Sequence, residues 1–344
     1  MFLYYFVTLL LFEHITKNNT PMLSSLLKIS NSIFSPAGSR GRLTILFYHR
    51  VWQVHDPMYE ERDCLPAEKF DSHLSSMLEH FNVLPLPEAL EKLRSGSLPT
   101  RAAAITFDDG YADNINLAYP ILAKHNLHAT FFITTGFLND GLMWNDTIIE
   151  TIRLCDSNTL NLTSLELGCF SLNSWSEKRI AAAAIIGKLK YHPLHERLSI
   201  CDQIVKITNV TLPTNLMMTN KQVRELHNTG MEIGAHTINH PILSRLSDNE
   251  AEEEITKGKS ALENIVAAPV NLFAYPNGRS NKDYNTRDIN IVKRAGFHAA
   301  FSTEAGVAHK TSDLYQIPRF SPWDSDERKF IFRLSQNLIN FKSS

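Results

Sequence analysis

Apolar residues in this chain fall into short, nearly unbroken runs, separated by longer stretches in which they recur every three or four positions. The runs Leu43–Tyr48, Ala102–Phe107, Ala129–Thr134, Met231–Ala235, Val270–Tyr275 and His298–Ser302 are each bounded by Gly, Pro, Asn or charge. Runs of that length read as parallel strands buried on both faces. The intervening stretches read as helices. Ser247-Asp248-Asn249-Glu250 is a capping-box pattern, followed by Ile255, Leu262 and Ile265 near helical spacing. That helix is expected to stop near Ala268, ahead of Pro269, because proline disfavours α geometry in the residue before it. A second helix is expected over Asp288–Ala295, closed by Gly296. Strand–helix alternation of this kind implies βα units.

The rhythm lapses between about Leu142 and Asn220, where Ile148, Ile149 and Ile152 and an Ala-rich stretch from Glu177 to Lys190 suggest helices. We read this as a largely helical insertion on the side where α/β folds carry their variable loops; a packing subdomain without substrate contact is the competing reading. The expected organisation is an N-terminal extension over 1–40, a main domain over 41–330 with its insertion at about 142–220, and a C-terminal helix or tail over 331–344.

Composition narrows the field. A chain of 344 residues, 43% hydrophobic and 20% charged, is that of an ordinary globular protein. A net charge of −2 steers it toward neither nucleic acid nor an anionic membrane surface. Cys64, Cys155, Cys169 and Cys201 show no Cys-x-x-Cys spacing, which favours structural or incidental thiols. The apolar run Met1–Phe12 is too short to span a bilayer and lacks the basic flank and cleavage site of a secretory signal. Residues 1–21 are read as an upstream extension before a second start at Met22; a peripheral membrane anchor is the alternative. A cytoplasmic or peripheral-membrane location is favoured over secretion.

Two stretches carry candidate chemistry. Asp108-Asp109-Gly110 closes the run Ala102–Phe107, and His236-Thr237-Ile238-Asn239-His240 follows another apolar run. Adjacent residues on an extended strand point to opposite sides, so one aspartate can bind a metal while the other accepts a proton. Two imidazoles four residues apart reach one cation from a turn or short helix. Two His and a carboxylate with open positions is the ligand set of a hydrolytic Zn²⁺ or similar divalent metal. Taken separately, the first stretch is also a common solvated turn and the second a common pair of unrelated histidines.

Together, Thr106-Phe107-Asp108-Asp109-Gly110 and His236-Thr237-x-x-His240 resemble the first two motifs of the polysaccharide deacetylases that share the NodB homology domain, the carbohydrate esterase 4 group. Leu43 to Val51 resembles the opening strand of the branch with exopolysaccharide and poly-N-acetylglucosamine deacetylases, and Phe273-Ala274-Tyr275-Pro276-Asn277-Gly278 resembles an altered third motif. The resemblance implies an irregular (β/α) barrel of about seven strands. It also implies a divalent cation, most simply Zn²⁺, on Asp109, His236 and His240, with Asp108 as general base.

Departures from the family pattern set further expectations. Ala274 stands where the family has an Arg that orients the catalytic Asp, so Arg319, at the end of the last strand-like run, is the candidate replacement. Asn277 stands at the family's Tyr, and its backbone N–H can still serve an oxyanion. The family's late general-acid His has no counterpart in either His298 or His309, which leaves His49 as a rim candidate beside a purely structural reading. Asp324 faintly resembles the fourth motif, with Trp323 as a sugar-stacking candidate. The expected function is metal-dependent removal of N-acetyl, less readily O-acetyl, groups from a polysaccharide or glycan precursor in bacterial cell-surface or exopolysaccharide metabolism. Hydrolysis of another non-peptide C–N bond and a glycan-binding pseudoenzyme are the alternatives.

Overall fold

In a computed structural model of the protein, residues 21–54, 56–59, 64–321, 324 and 326–339 are described, without the side chains of 21–23 and 64. The expectations for Met1–Phe12 and Trp323 lie outside the described residues. The frame is a parallel sheet built from β1 (Leu43–Tyr48), β5 (Ala102–Phe107), β6 (Ala129–Ile133), β9 (Glu232–Ala235), β10 (Leu272–Ala274) and β11 (Ala299–Phe301), in that spatial order. β4 (Asn82–Val83) pairs with the first half of β5, and β6 with its second half. All side chains of β1, β5 and β6 are buried, as the unbroken apolar runs require when both sheet faces are covered. A separate parallel pair joins β2 (Arg50–Trp52) to β3 (Cys64–Pro66).

The sheet curls until its outer strands meet through Ile317–Phe320. Ser302 N–H donates to Ile317 O and Ile317 N–H to Ala300 O on the β11 side. Phe320 N–H donates to Ile45 O and Phe47 N–H to Phe320 O on the β1 side. This segment closes the irregular barrel and carries Arg319 into it.

Most sheet connections run through helices. They include α1 (Pro21–Phe34), α2 (Ala67–His80), α3 (Leu86–Ser95) and α4 (Tyr119–Lys124), the last entered through a π-helical turn at Asn114–Ala118. The expected capping box of α9 (Asp248–Val266) is present, with Ser247 and Glu250 each taking the other's backbone N–H. α10 (Thr286–Arg294) begins two residues earlier than expected because Asn285 and Asp288 form a capping box of their own. α8 (Asn220–Asn228) is capped similarly by Thr219 and Gln222.

The insertion is not purely helical. Between α5 (Trp144–Leu154), α6 (Trp175–Leu189) and α7 (Leu194–Thr208) lies an antiparallel hairpin, β7 (Thr159–Leu162) with β8 (Gly168–Ser171). Thr159-Leu160-Asn161-Leu162 alternates exposed and buried positions, a period of two too brief to stand out in a polar stretch. The insertion has its own core, including Ile148, Ile152, Leu160, Leu162 and Ile185. α11 (Glu327–Ile339) packs on α1 and α2. No described helix is long and apolar enough to cross a membrane.

Candidate active site

Asp108 and Asp109 reach one cavity by a turn rather than by strand alternation. β5 ends at Phe107, and Asp109 takes a left-handed backbone, φ 77°, which turns both carboxylates into a cavity of about 600 Å³. His236 and His240 line the same cavity. They are carried on a turn after β9 in which Thr237 (φ 66°) and His240 (φ 50°) are also left-handed. Positive φ at a β-branched residue is strained, so neighbouring structure must hold it. Glu254 of α9 does so: its carboxylate accepts the N–H groups of Ile238 and Asn239, both at 2.9 Å, and the Asn239 side chain at 2.7 Å. Gly258, one turn on, lets the helix approach closely, since a Cβ there would stand 3.1 Å from the Thr237 backbone.

The ligand atoms of Asp109, His236 and His240 lie within 4.8 Å of one another. Asp109 Oδ1 stands 3.5 Å from each Nε2 and is buried with no hydrogen-bond partner. Ligands about 2.1 Å from a tetrahedral cation are about 3.4 Å apart, so the two Asp109–imidazole spacings fit. His236 Nδ1 donates to Ala274 O at 2.7 Å, which fixes the tautomer and leaves the Nε2 lone pair facing Asp109. Burial pushes Asp109 up, but the imidazoles of His236, His240 and His49 outweigh it and hold the carboxyl well below its usual range. Burial lowers His240 to about 4. It acts against the charged form of His236 too, yet Asp109 and Asp108 raise that imidazole overall. The carboxylates that favour a proton on His236 equally favour a cation beside it. The donor set therefore fits a divalent metal.

Asp108 does not join this cluster. Its Oδ1 and Oδ2 each accept a guanidinium N–H of Arg319, both at 2.7 Å. Arg319 is fully buried and also donates to Ser302 O and Thr106 Oγ1, each at 3.1 Å. Burial alone would raise the Asp108 carboxyl; Arg319, with His236 and His49, reverses that and lowers it. The cation absent at Ala274 thus arrives from the barrel-closing segment, and Ala274 contributes its carbonyl to His236 instead.

Asn277, left-handed at φ 59°, and His49 also line the cavity. His298 and His309 do not. Asp324 pairs with Arg333 and takes His73 Nε2 on its carbonyl, away from the cavity lining. Residues not singled out from the sequence complete the walls. Arg50 pairs with Asp113 at 2.8 Å, and Tyr111 donates to the buried Asp146 at 2.9 Å. Trp144, Lys190 and Arg197 come from the insertion. Glu254 was hidden because Glu252-Glu253-Glu254 reads as a solvated face.

A family model described as polysaccharide deacetylase matches residues 95–161 and 198–300, which include both aspartates and both histidines. The chain belongs to the polysaccharide deacetylase family. Members are hydrolases, and the gap between the two matched stretches, 162–197, falls inside the insertion. YxkH of Bacillus subtilis (strain 168) is 22% identical over 280 residues, 81% of this chain and 70% of the relative. The poly-beta-1,6-N-acetyl-D-glucosamine N-deacetylase of Staphylococcus aureus (strain N315) is 23% identical over 261 residues, 73% of this chain and 65% of the relative. The chain thus spans about two thirds of the length of these curated relatives. Among solved structures, IcaB from Ammonifex degensii aligns with TM-score 0.55 at 18% identity, covering 88% of this chain and 98% of that one. Streptococcus pyogenes deacetylase PplD in complex with acetate aligns at 0.53 and 23%, covering 81% and 91%. Both share the curled-sheet fold of this chain.

Proposed function

We propose that this protein is a metal-dependent hydrolase that removes N-acetyl groups from a polysaccharide or glycan precursor, in bacterial exopolysaccharide or cell-surface carbohydrate metabolism. The observation that carries the reading is the pairing of two different carboxylate environments in one cavity: Asp109 facing two imidazoles, and Asp108 clamped by Arg319. A divalent cation, Zn²⁺ being the simplest choice, held by Asp109, His236 and His240 would polarise the acyl carbonyl and acidify a water.

The chain's own residues supply the rest. Asp108, kept ionised by Arg319, takes the proton of the attacking water on a carboxylate oxygen. The bidentate guanidinium fixes that carboxylate's orientation. The Asn277 N–H donates to the charge that develops on the acyl oxygen. His49, the one cavity-lining imidazole outside the cluster among the described residues, is assigned the proton that the departing amine requires. The name of the Staphylococcus aureus relative supports an N-acetylated amino-sugar polymer as substrate. Against a glycan-binding pseudoenzyme stands Arg319, whose guanidinium supplies the cation that Ala274 does not.

The test is acetate release from N-acetylglucosamine oligosaccharides, with metal analysis of the same preparation. Asp108→Asn is expected to abolish release while metal content stays near that of the parent protein, since the three ligands are untouched. An Asp108→Asn protein with parental activity would show that the base is misassigned.

A further inference from the structure

We propose that the cavity wall built by the insertion is an oxyanion subsite, in which Arg197 and Lys190 bind a negatively charged group on the substrate glycan. The proposal rests on the deacetylase reading for the word substrate, but its physical basis is separate. Arg197, on α7, is 3% exposed and lines the cavity. Its guanidinium lies over the Trp144 ring at 4.5 Å, and one terminal N–H donates to Lys190 O at 3.2 Å. Its Nε is buried with no acceptor. Among the described residues the one titratable group acting on its charge is the Cys201 thiol, and burial lowers the Arg197 pKa.

Other buried or half-buried arginines near this cavity are matched. Arg50 has Asp113, Arg153 has Asp56 and Glu150, and Arg319 has Asp108. A guanidinium carries five donors and stays charged at any physiological pH. Burying it without a counter-charge is costly, and costs of this kind collect at functional sites. Lys190, half-buried at the end of α6, lines the same cavity, as do Arg279 and Lys282 from the loop after β10. Of the carboxylates lining it beyond Asp108 and Asp109, Asp146 takes the Tyr111 hydroxyl, and Asp283 accepts the Arg279 backbone N–H on Oδ2 while its Oδ1 is buried without a partner. A planar guanidinium beside an ammonium suits a carboxylate or a phosphate. The glycan group is therefore a uronic-acid carboxylate or a phosphate ester.

The experiment measures binding to the full chain by calorimetry, with probes that lack an acetamide: glucose 1-phosphate, glucuronic acid and, as the neutral reference, glucose. At least one charged probe is expected to bind tenfold or more tightly than glucose, and the tighter one names the oxyanion. Arg197→Met should erase the preference, and Arg197→Lys should restore part of it. Because Arg197 has no counter-ion to lose among the described residues, Arg197→Met should melt no lower than the parent protein. Lys190→Gln, half-buried and outside the core, is the second variant and should weaken the charged probe severalfold. Equal binding of all three probes, or a preference that survives Arg197→Met, would overturn the subsite. Charged probes binding through Arg197, with no acetate released from any acetylated glycan, would instead sink the deacetylase reading and leave the subsite standing.

Discussion

Asp108 and Asp109 are neighbours in sequence, yet their partners give them opposite characters. Asp109 has an unpartnered buried oxygen facing two imidazoles, whereas both oxygens of Asp108 are committed to one guanidinium. Removing that guanidinium leaves a buried carboxylate without its cation. Arg319→Ala is expected to lower kcat on the order of 10²-fold, the loss typical of a catalytic group that is no longer positioned. It should also move the acid limb of the pH–rate profile upward. The sign follows from the balance at Asp108, where burial raises the carboxyl and Arg319 lowers it. With the cation gone and burial unchanged, protonation sets in at higher pH. Steady-state kinetics across pH would check both effects, and an unmoved acid limb would show that Arg319 does not govern Asp108.

At the scale of elements, the histidine turn depends on α9. The Glu254 carboxylate satisfies its N–H groups and Gly258 permits the contact. Gly to Ala inside a helix ordinarily stabilises by about 1 kcal/mol. Gly258→Ala should do the reverse, because the added methyl meets Thr237 backbone atoms at 3.1–3.2 Å. Lower thermal stability and weaker metal retention are expected together; a stabilised, fully active variant would show that the turn does not need this approach. The first turn of α5 has its own pH signature. Burial pushes Asp146 up to about 7, so between the ordinary carboxylate range and that value the folded chain binds more protons than the unfolded one. Stability must then fall as pH rises through this window. Asp146→Asn is expected to flatten that fall in denaturant titrations at pH 5 and 7.5, and parallel losses in both proteins would refute the assignment.

For the whole molecule, a cation on Asp109, His236 and His240 would tie β5 to the turn after β9, two places apart in the sheet order. A ligand that binds only the folded state adds about 4 kcal/mol at a thousandfold excess over its Kd. Chelation should therefore abolish acetate release and lower Tm by roughly 5 °C, with both restored by Zn²⁺. In Asp109→Ala, chelation should leave Tm unchanged. Scanning calorimetry of the two proteins would separate a structural tie from a surface-bound ion.

The unbroken apolar runs were enough to place β1, β5 and β6, because strands covered on both faces have no polar side to obscure them. The Asp-Asp-Gly and His-x-x-x-His spacings marked the candidate ligands for a similar reason: each pair is held together by local chain geometry. Reading Asp108 and Asp109 as alternating strand positions missed the left-handed turn at Asp109, since φ depends on what surrounds the residue. The β7–β8 hairpin went unseen because four residues hold too little of a period. The charge partners lay furthest beyond reach. Arg319 and Asp108 are 211 positions apart, and only closure of the barrel through Ile317–Phe320 brings them into contact. Glu254 meets the histidine turn only because α9 packs against it, and Arg197 is buried without a counter-charge among the described residues only because the insertion folds around it. Sequence fixes what local spacing and hydrophobic period can encode; which charges meet, and which are left unmet, is decided by where the closed sheet and the insertion put them.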